Sequence, residues 1–420
     1  MDFIVYNTPF GRDIDVKRTR KSINAPKIQR QHVVNNHTPS SAKPGDVVSF
    51  EMPKLGEHDM IVPGSFYISF KLDVKSDKDK KRTIVPNIGR KIVKKMVISF
   101  EGKEIVSVDD YDELFTYFDF FLPKKEKTRR IPQGIDTDAG LALRVEAEGA
   151  TGTTEEKAVG KTFGKTFRIP IDFEMLSDIS PFSQHSLKDK LQIDITFNSP
   201  EAVILAGTGA DLTKGADYAY SIKDLRMEYD IINEPSMSLD VKRQYDFGVI
   251  VPFKRYIKYR FEEIEKSDSV INLKINAPCK SLSHVLIFAI DPNDRKDWSR
   301  KEIFKNLDIK SVNVAIEGKP NQLYASGLTT QYTYDQVLKF FNHNTTVTIG
   351  EFLTTKYALV LDLRGSYDDG LHGNGLELKD EMTVEIKRIA SGSGKLRLYV
   401  FLVQDAQIGI QESRFTGDSY

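Results

Sequence analysis

Cys279 is the only cysteine in the sequence, which excludes an intrachain disulfide and a cysteine-based structural zinc site. It follows the strand-like run Val270–Ile275, a setting that suits an inert thiol better than a nucleophile. Seven histidines (His32, His37, His58, His185, His284, His343 and His372) are scattered, with no HExxH pair and no close carboxylate cluster. No Gly-x-Ser-x-Gly elbow occurs. Ser391-Gly-Ser-Gly-Lys395 has the composition of a phosphate loop without its spacing. It runs into alternating Leu396, Leu398 and Val400, so it reads as a turn between strands. Asp291 and Asn293 begin like a calcium loop. Arg295 then stands where the third ligand belongs and Lys296 where the turn glycine belongs, while Asp294 and Asp297 are out of register. Sequons at Asn36 and Asn344 mean little without a secretory signal. The expectation is a protein that is not an enzyme, with no catalytic residue, cofactor or metal ligand.

The informative pattern is an internal repeat. Ile92–Lys103 matches Asp308–Lys319, with identities at Lys94/Lys310, Glu101/Glu317, Gly102/Gly318 and Lys103/Lys319. Each copy reads as a half-buried strand closed by a Glu-Gly-Lys turn. Tyr111–Phe118 then matches Tyr334–Phe341. Both have apolar residues at helical spacing, and capping boxes are expected at Asp110/Glu113 and Thr333/Gln336. Three further pairs follow in the same order: Phe167–Phe173 with Tyr357–Leu363, Leu187–Ile195 with Leu378–Ile386, and Leu225–Ile231 with Leu396–Leu402. Five ordered matches predict two domains of one fold. Their shrinking offsets place extra length in the first copy, at about 123–164 and 198–217, expected as exposed loops on a rigid scaffold. The basic run Lys124–Arg130 is expected to lie in a solvated loop.

The rest of the chain is strand-like. Val47–Met52, Ser65–Val74, Phe247–Phe261, Val270–Ile275 and Ser283–Ile290 are apolar runs bounded by turn formers. Many short strands and few helices predict an all-β protein: two tandem eight-stranded antiparallel jelly rolls with short helices. The expected divisions are a basic N-terminal arm (1–44), a first barrel with long loops (45–237), a second barrel (238–412) and a C-terminal tail (413–420). A Pro/Ser turn at Asn233–Ser238 is expected to separate the barrels. The arm carries eight Lys and Arg against three Asp. Over all 420 residues, this arm included, Lys+Arg and Asp+Glu balance at 60 each, which argues against a dedicated nucleic-acid binder. No apolar run approaches a membrane span, and no signal-peptide core is present. The expectation is a soluble protein made in a reducing compartment.

Two tandem jelly rolls, a short helix in each and longer loops in the first resemble the double jelly-roll major capsid proteins. That group includes Polinton and adintovirus elements, virophages, large DNA viruses and adenovirus-type hexons. Pro63–Leu72 and Asn87–Ile98 are similar to early strands of the Polinton-like members, and Tyr220–Tyr229 to the closing strand of the first barrel. The resemblance spans about residues 45–412. It implies a structural protein of the virion that self-assembles as pseudo-hexameric homotrimers tiling an icosahedral capsid. Penton and minor capsid proteins are its implied partners, and the arm would face an anionic internal surface without specific nucleic acid recognition. Synthesis in the host cytoplasm and assembly there or in the nucleus follow from the same resemblance. The alternative is a tandem β-sandwich that binds or acts on carbohydrate. It would want an aromatic platform, and Trp298 is the only tryptophan.

Overall fold

The computed structural model describes residues 29–36, 40–76, 82–85, 87–135, 166–173, 176, 183–206, 218–292, 303–321, 324, 329–342, 345–365 and 373–419. Sixteen of its strands form two sets of eight, with short accessory strands beside them. The first set is β1 (Gln29–Asn36), β2 (Val47–Glu51), β3 (Tyr67–Ser76), β4 (Val93–Phe100), β5 (Lys103–Asp109), β6 (Thr166–Pro170), β7 (Leu191–Phe197) and β8 (Tyr218–Asn233). The second is β9 (Val249–Glu265), β10 (Val270–Ile275), β11 (Cys279–Ile290), β12 (Ile309–Ile316), β13 (Lys319–Pro320), β14 (Leu359–Asp362), β15 (Met382–Arg388) and β16 (Lys395–Gln411).

The two sets are wired identically. One sheet of the first set runs β1-β8-β3-β6 and the other β2-β7-β4-β5. In the second set the orders are β9-β16-β11-β14 and β10-β15-β12-β13. Each strand thus corresponds to the one eight places later. All the pairings are antiparallel, and each set is the two-Greek-key order of a jelly roll. The chain is a double jelly roll.

The repeat extends to backbone irregularities. Glu101-Gly102 and Glu317-Gly318 all have positive φ, at 47° and 78°, then 49° and 76°. That is the two-residue turn whose twist matches flanking antiparallel strands, and glycine lowers its cost. Before each turn the register with the inner neighbour slips at matching places, between Val93 and Lys95 of β4 against β7 and between Ile309 and Ser311 of β12 against β15. The repeated Lys94 and Lys310 are the bulged residues.

Burial explains the sequence texture. β10 alternates buried with exposed residues and β7 buried with half-buried ones, as sheets with one wetter face do. β11 and β16 are buried almost continuously, so both faces of these strands are covered and they read as unbroken apolar runs. Buried apolar residues of the two barrels form one continuous core.

Several expectations are corrected. Part of the supposed arm, Gln29–Asn36, is β1, paired along its whole length with β8. As an edge strand it is polar enough to resemble an arm in composition. The supposed tail holds a strand, Arg414–Ser419, paired with the end of β16. The Pro/Ser turn between barrels is instead the start of a helix, α2 (Pro235–Phe247), with proline in its first turn and Glu234 as N-cap. Lys124–Arg130 is a helix. In the second extra segment, Ile204–Ala206 pairs with Arg82–Ile84. Most of both extra segments, 136–165 and 207–217, lies outside the described residues, as do residues 1–28 of the arm.

Neither expected capping box forms. The first helix, α1 (Tyr111–Phe120), has Asp110 as N-cap in a left-handed conformation, φ 50°, with no side-chain cap bond. Its counterpart α3 (Thr330–Phe340) starts earlier than expected: Thr329 caps it by accepting from the Tyr332 amide at 3.2 Å, and Thr333 lies within it. Matching C-caps (Phe121 and Phe341) shifts the helix alignment by about one turn, a slip that helical periodicity conceals. The capping box that does form is Thr348/Glu351 on α4 (Ile349–Thr355).

Candidate functional site at the junction of the two barrels

Among the described residues, those singled out as chemical candidates are not brought together. Cys279 is half-buried at the start of β11, and burial pushes its thiol up, away from nucleophilic reactivity. His58 bonds Ser238 and His185 bonds the Leu55 carbonyl. His284 is buried, 3.6 Å from Asp362. His32 lies on β1, while His37, His343 and His372 are outside the described residues. Asp291 accepts from Lys266 at 2.7 Å, and residues 293–300 of the supposed calcium loop are also outside. Ser391-Gly-Ser-Gly is the turn between β15 and β16, with Gly392 and Gly394 at positive φ. Among the described residues no group of three His, Cys, Asp or Glu could hold a metal ion.

The dense arrangement is the junction, built on α1. Its apolar residues divide between two barrels. Tyr111 and Phe115 stack at 4.2 Å and turn inward to Phe173. Tyr117 and Phe118 turn to the second barrel. Tyr117 stacks on Phe288 at 5.5 Å and meets Phe304 edge-on at 5.1 Å. Phe118 meets Tyr256 edge-on at 5.2 Å, and Phe121 lies flat on Phe341 at 4.3 Å. Such pairs add about 0.5–1.5 kcal/mol each beyond area burial. Polar contacts pin the edges: Arg255 on β9 donates to the Ile105 carbonyl on β5 at 3.2 Å, and Lys258 on β9 pairs with Asp110. A second clamp comes from beyond β16. Phe415 stacks on Phe100 at 3.6 Å, and its amide donates to Asp189 at 2.7 Å.

The polar face of α1 is buried too, above a layer of paired charge. Arg90 donates to Asp119 at 2.6 Å, to Asp172 at 2.6 Å and to the Tyr111 hydroxyl at 2.8 Å. Burial alone would lower the Arg90 pKa; Asp119, Tyr111 and Asp172 outweigh it and hold the guanidinium charged. Burial likewise pushes Asp172 up, but Arg90 and Arg130 bring it below its ordinary range. Lys91 pairs with Glu113 at 2.9 Å, and Thr116 accepts from Asn87 at 2.8 Å. Asp112 accepts from Asn198 at 3.0 Å. Burial first, and Glu113 second, push its carboxyl up to about 7. Sequence reasoning missed this layer, because Arg90 and Lys91 look like surface residues.

This is an arrangement for holding surfaces together. Arg90, Lys91 and Arg130 are paired with Asp119, Asp172 and Glu113, and Asp112 with Asn198.

No protein-family model and no curated protein matches the chain. Among solved structures, the quasi-atomic model of the PBCV-1 virus capsid is similar over 95% of this chain and 99% of that chain, with TM-score 0.60 and 10% identity. The mavirus major capsid protein is similar over 95% and 93%, with TM-score 0.59 and 12% identity. The Faustovirus major capsid protein covers 95% and 94%, with TM-score 0.57 and 11% identity. The fold shared across this range is the double jelly roll.

Proposed function

We propose that this chain is a major capsid protein, a non-enzymatic building block of an icosahedral viral shell. The observation that carries the reading is the side-by-side pair of identically wired barrels, matched nearly end to end by structures whose names say capsid. Three chains would present six similar barrels, a footprint that tiles a shell. Function would then reside in subunit surfaces, which need no catalytic constellation.

The finer roles follow from the same reading. Loops of the first barrel face outward. The basic residues before β1 face an anionic interior, and penton and minor capsid proteins complete the shell. The protein resides in the virion, after synthesis in host cytoplasm. Residues 45–237 and 238–412 approximate the barrels, with β1 belonging to the first.

The test is assembly state. The purified chain should be a stable trimer and should form shells or regular arrays in negative-stain micrographs. A persistent monomer that binds glycans would overturn the proposal.

A further inference from the structure

The layer beneath α1 holds two acceptor oxygens with nothing to accept. Asp112 accepts from Asn198 through Oδ2, while its Oδ1 is buried and has no hydrogen-bond partner among the described residues. Asn87 donates through Nδ2 to Thr116, whose hydroxyl donates to the Asp112 carbonyl at 2.5 Å. The Asn87 Oδ1 is buried and unpartnered in the same way. Asn87 is fully buried and Asp112 is 3% exposed. A bare carboxylate oxygen in such a place is costly. A proton on Asp112 removes the charge and turns an idle acceptor into a donor.

That proton sits beside the charges that tie the barrels together. Asp110, two residues earlier, is held by Lys94 of β4 and by Lys258 of β9, so its carboxylate bridges the first barrel and the second. Burial opposes the Lys94 charge; Asp112 and Asp110 outweigh it and hold the ammonium charged. Lys94 is 46% exposed, so its stem can move between the two carboxyl groups. The other charged groups facing Asp112 are Glu113 on α1 and Lys91 below it, which pair with each other.

We propose that Asp112 is a proton-operated latch for the junction between the barrels. While it holds a proton, Lys94 and Lys258 both serve Asp110, and the edge strand β9 is held on β5. When the proton leaves for solvent, water must reach Oδ1 and Asp112 draws Lys94 from Asp110. The Lys258 and Arg255 ties of β9 then loosen. The latch lies inside one chain, so it goes beyond the shell-building reading and does not depend on it. Its direction follows from the two states. The carboxyl titrates at about 7 in the closed seam, where burial and Glu113 push it up, and near its ordinary 3.8 once water reaches it. The preference for the closed seam is therefore complete below about pH 4 and is lost as pH climbs to about 7.

Hydrogen exchange of the full chain, corrected for the pH dependence of exchange itself, reads the seam. Protection at 103–109 and 249–265 should fall by up to about tenfold per pH unit between about pH 5 and about pH 7, then level off. Low denaturant should barely change that exchange, because a local opening exposes little surface. Asp112→Asn has no titrating group and carries a donor in place of the proton, so its protection should stay level over the same range. Infrared spectroscopy of the unaltered chain should show a buried carboxylic C=O stretch at about pH 6 that is lost by about pH 8. Four results each overturn the inference: wild-type protection level with pH, the same fall in Asp112→Asn, seam exchange with the full denaturant dependence of global unfolding, or no such infrared band.

Discussion

The two barrels share strand order, bulge and turn, yet differ beneath their helices. Under α1 lie Arg90 and Lys91, both buried and paired with carboxylates. The identical Glu-Gly turns set the correspondence, which places Leu307, fully buried, at the Lys91 position. The fold therefore does not require buried charge there. A buried ion pair is weak support for stability, but a half-broken one is costly. The charge layer fixes one orientation of α1, whose other side must meet a second barrel. On α3 only the C-terminal end, Phe340 and the C-cap Phe341, reaches the other barrel, at Phe118 and Phe121 of α1 and its C-cap.

The hardest test of that contrast is Arg90→Met. It strands Asp119 and Asp172 near Arg130 alone and should cost about 3–5 kcal/mol in denaturant unfolding. Lys91→Leu, which copies the second barrel, should cost about 3 kcal/mol alone and much less when combined with Glu113→Leu. A double variant as unstable as the single one would show that the pair does more than neutralise itself. Next is Phe118→Ala, which opens the aromatic junction. It should cost about 2–3 kcal/mol, against under about 1 kcal/mol for Leu338→Ala in the isolated chain. Equal costs would erase the distinction between covered and uncovered helix.

A third test uses pH. The Asp112 carboxyl lies near 7 in the folded chain, against an ordinary 3.8. The folded state then holds a proton that the unfolded state has lost, so stability falls as pH rises from about 4 to about 7. Asp112→Asn should flatten that fall in melting temperature, and an unchanged profile would assign it elsewhere. The smallest effect should be a matched pair. Gly102→Ala and Gly318→Ala each place a side chain at φ near 77°, with open space around the new methyl. Each should cost about 1 kcal/mol, equally in the two barrels.

The legible parts were those written in local pattern. The Glu-Gly-Lys turns, the alternation of β7 and β15 and the order of five repeats were enough for two jelly rolls. Local pattern failed where a segment's identity depends on remote partners. β1 reads as polar coil until β8 pairs with it, two hundred residues on. Pro235 reads as a turn, although proline is equally at home in a first helical turn. Glu113 and Gln336 suggested caps by spacing alone, while the structure uses Glu113 to neutralise Lys91 and caps α3 from Thr329. Asp172 joins Arg90 across 82 positions, which no spacing rule anticipates.

The Phe415 clamp has a consequence for biosynthesis. Strands of the first barrel are complete at Asn233, but Phe100 and Asp189 receive Phe415 only after the whole second barrel has been made. During synthesis the first barrel can fold early while that seam stays unsealed, since distant contacts carry the entropy of a long loop. A chain that stops before Phe415 lacks the ring stack on Phe100 and the amide bond to Asp189, so the seam between the barrels loses one of its two clamps.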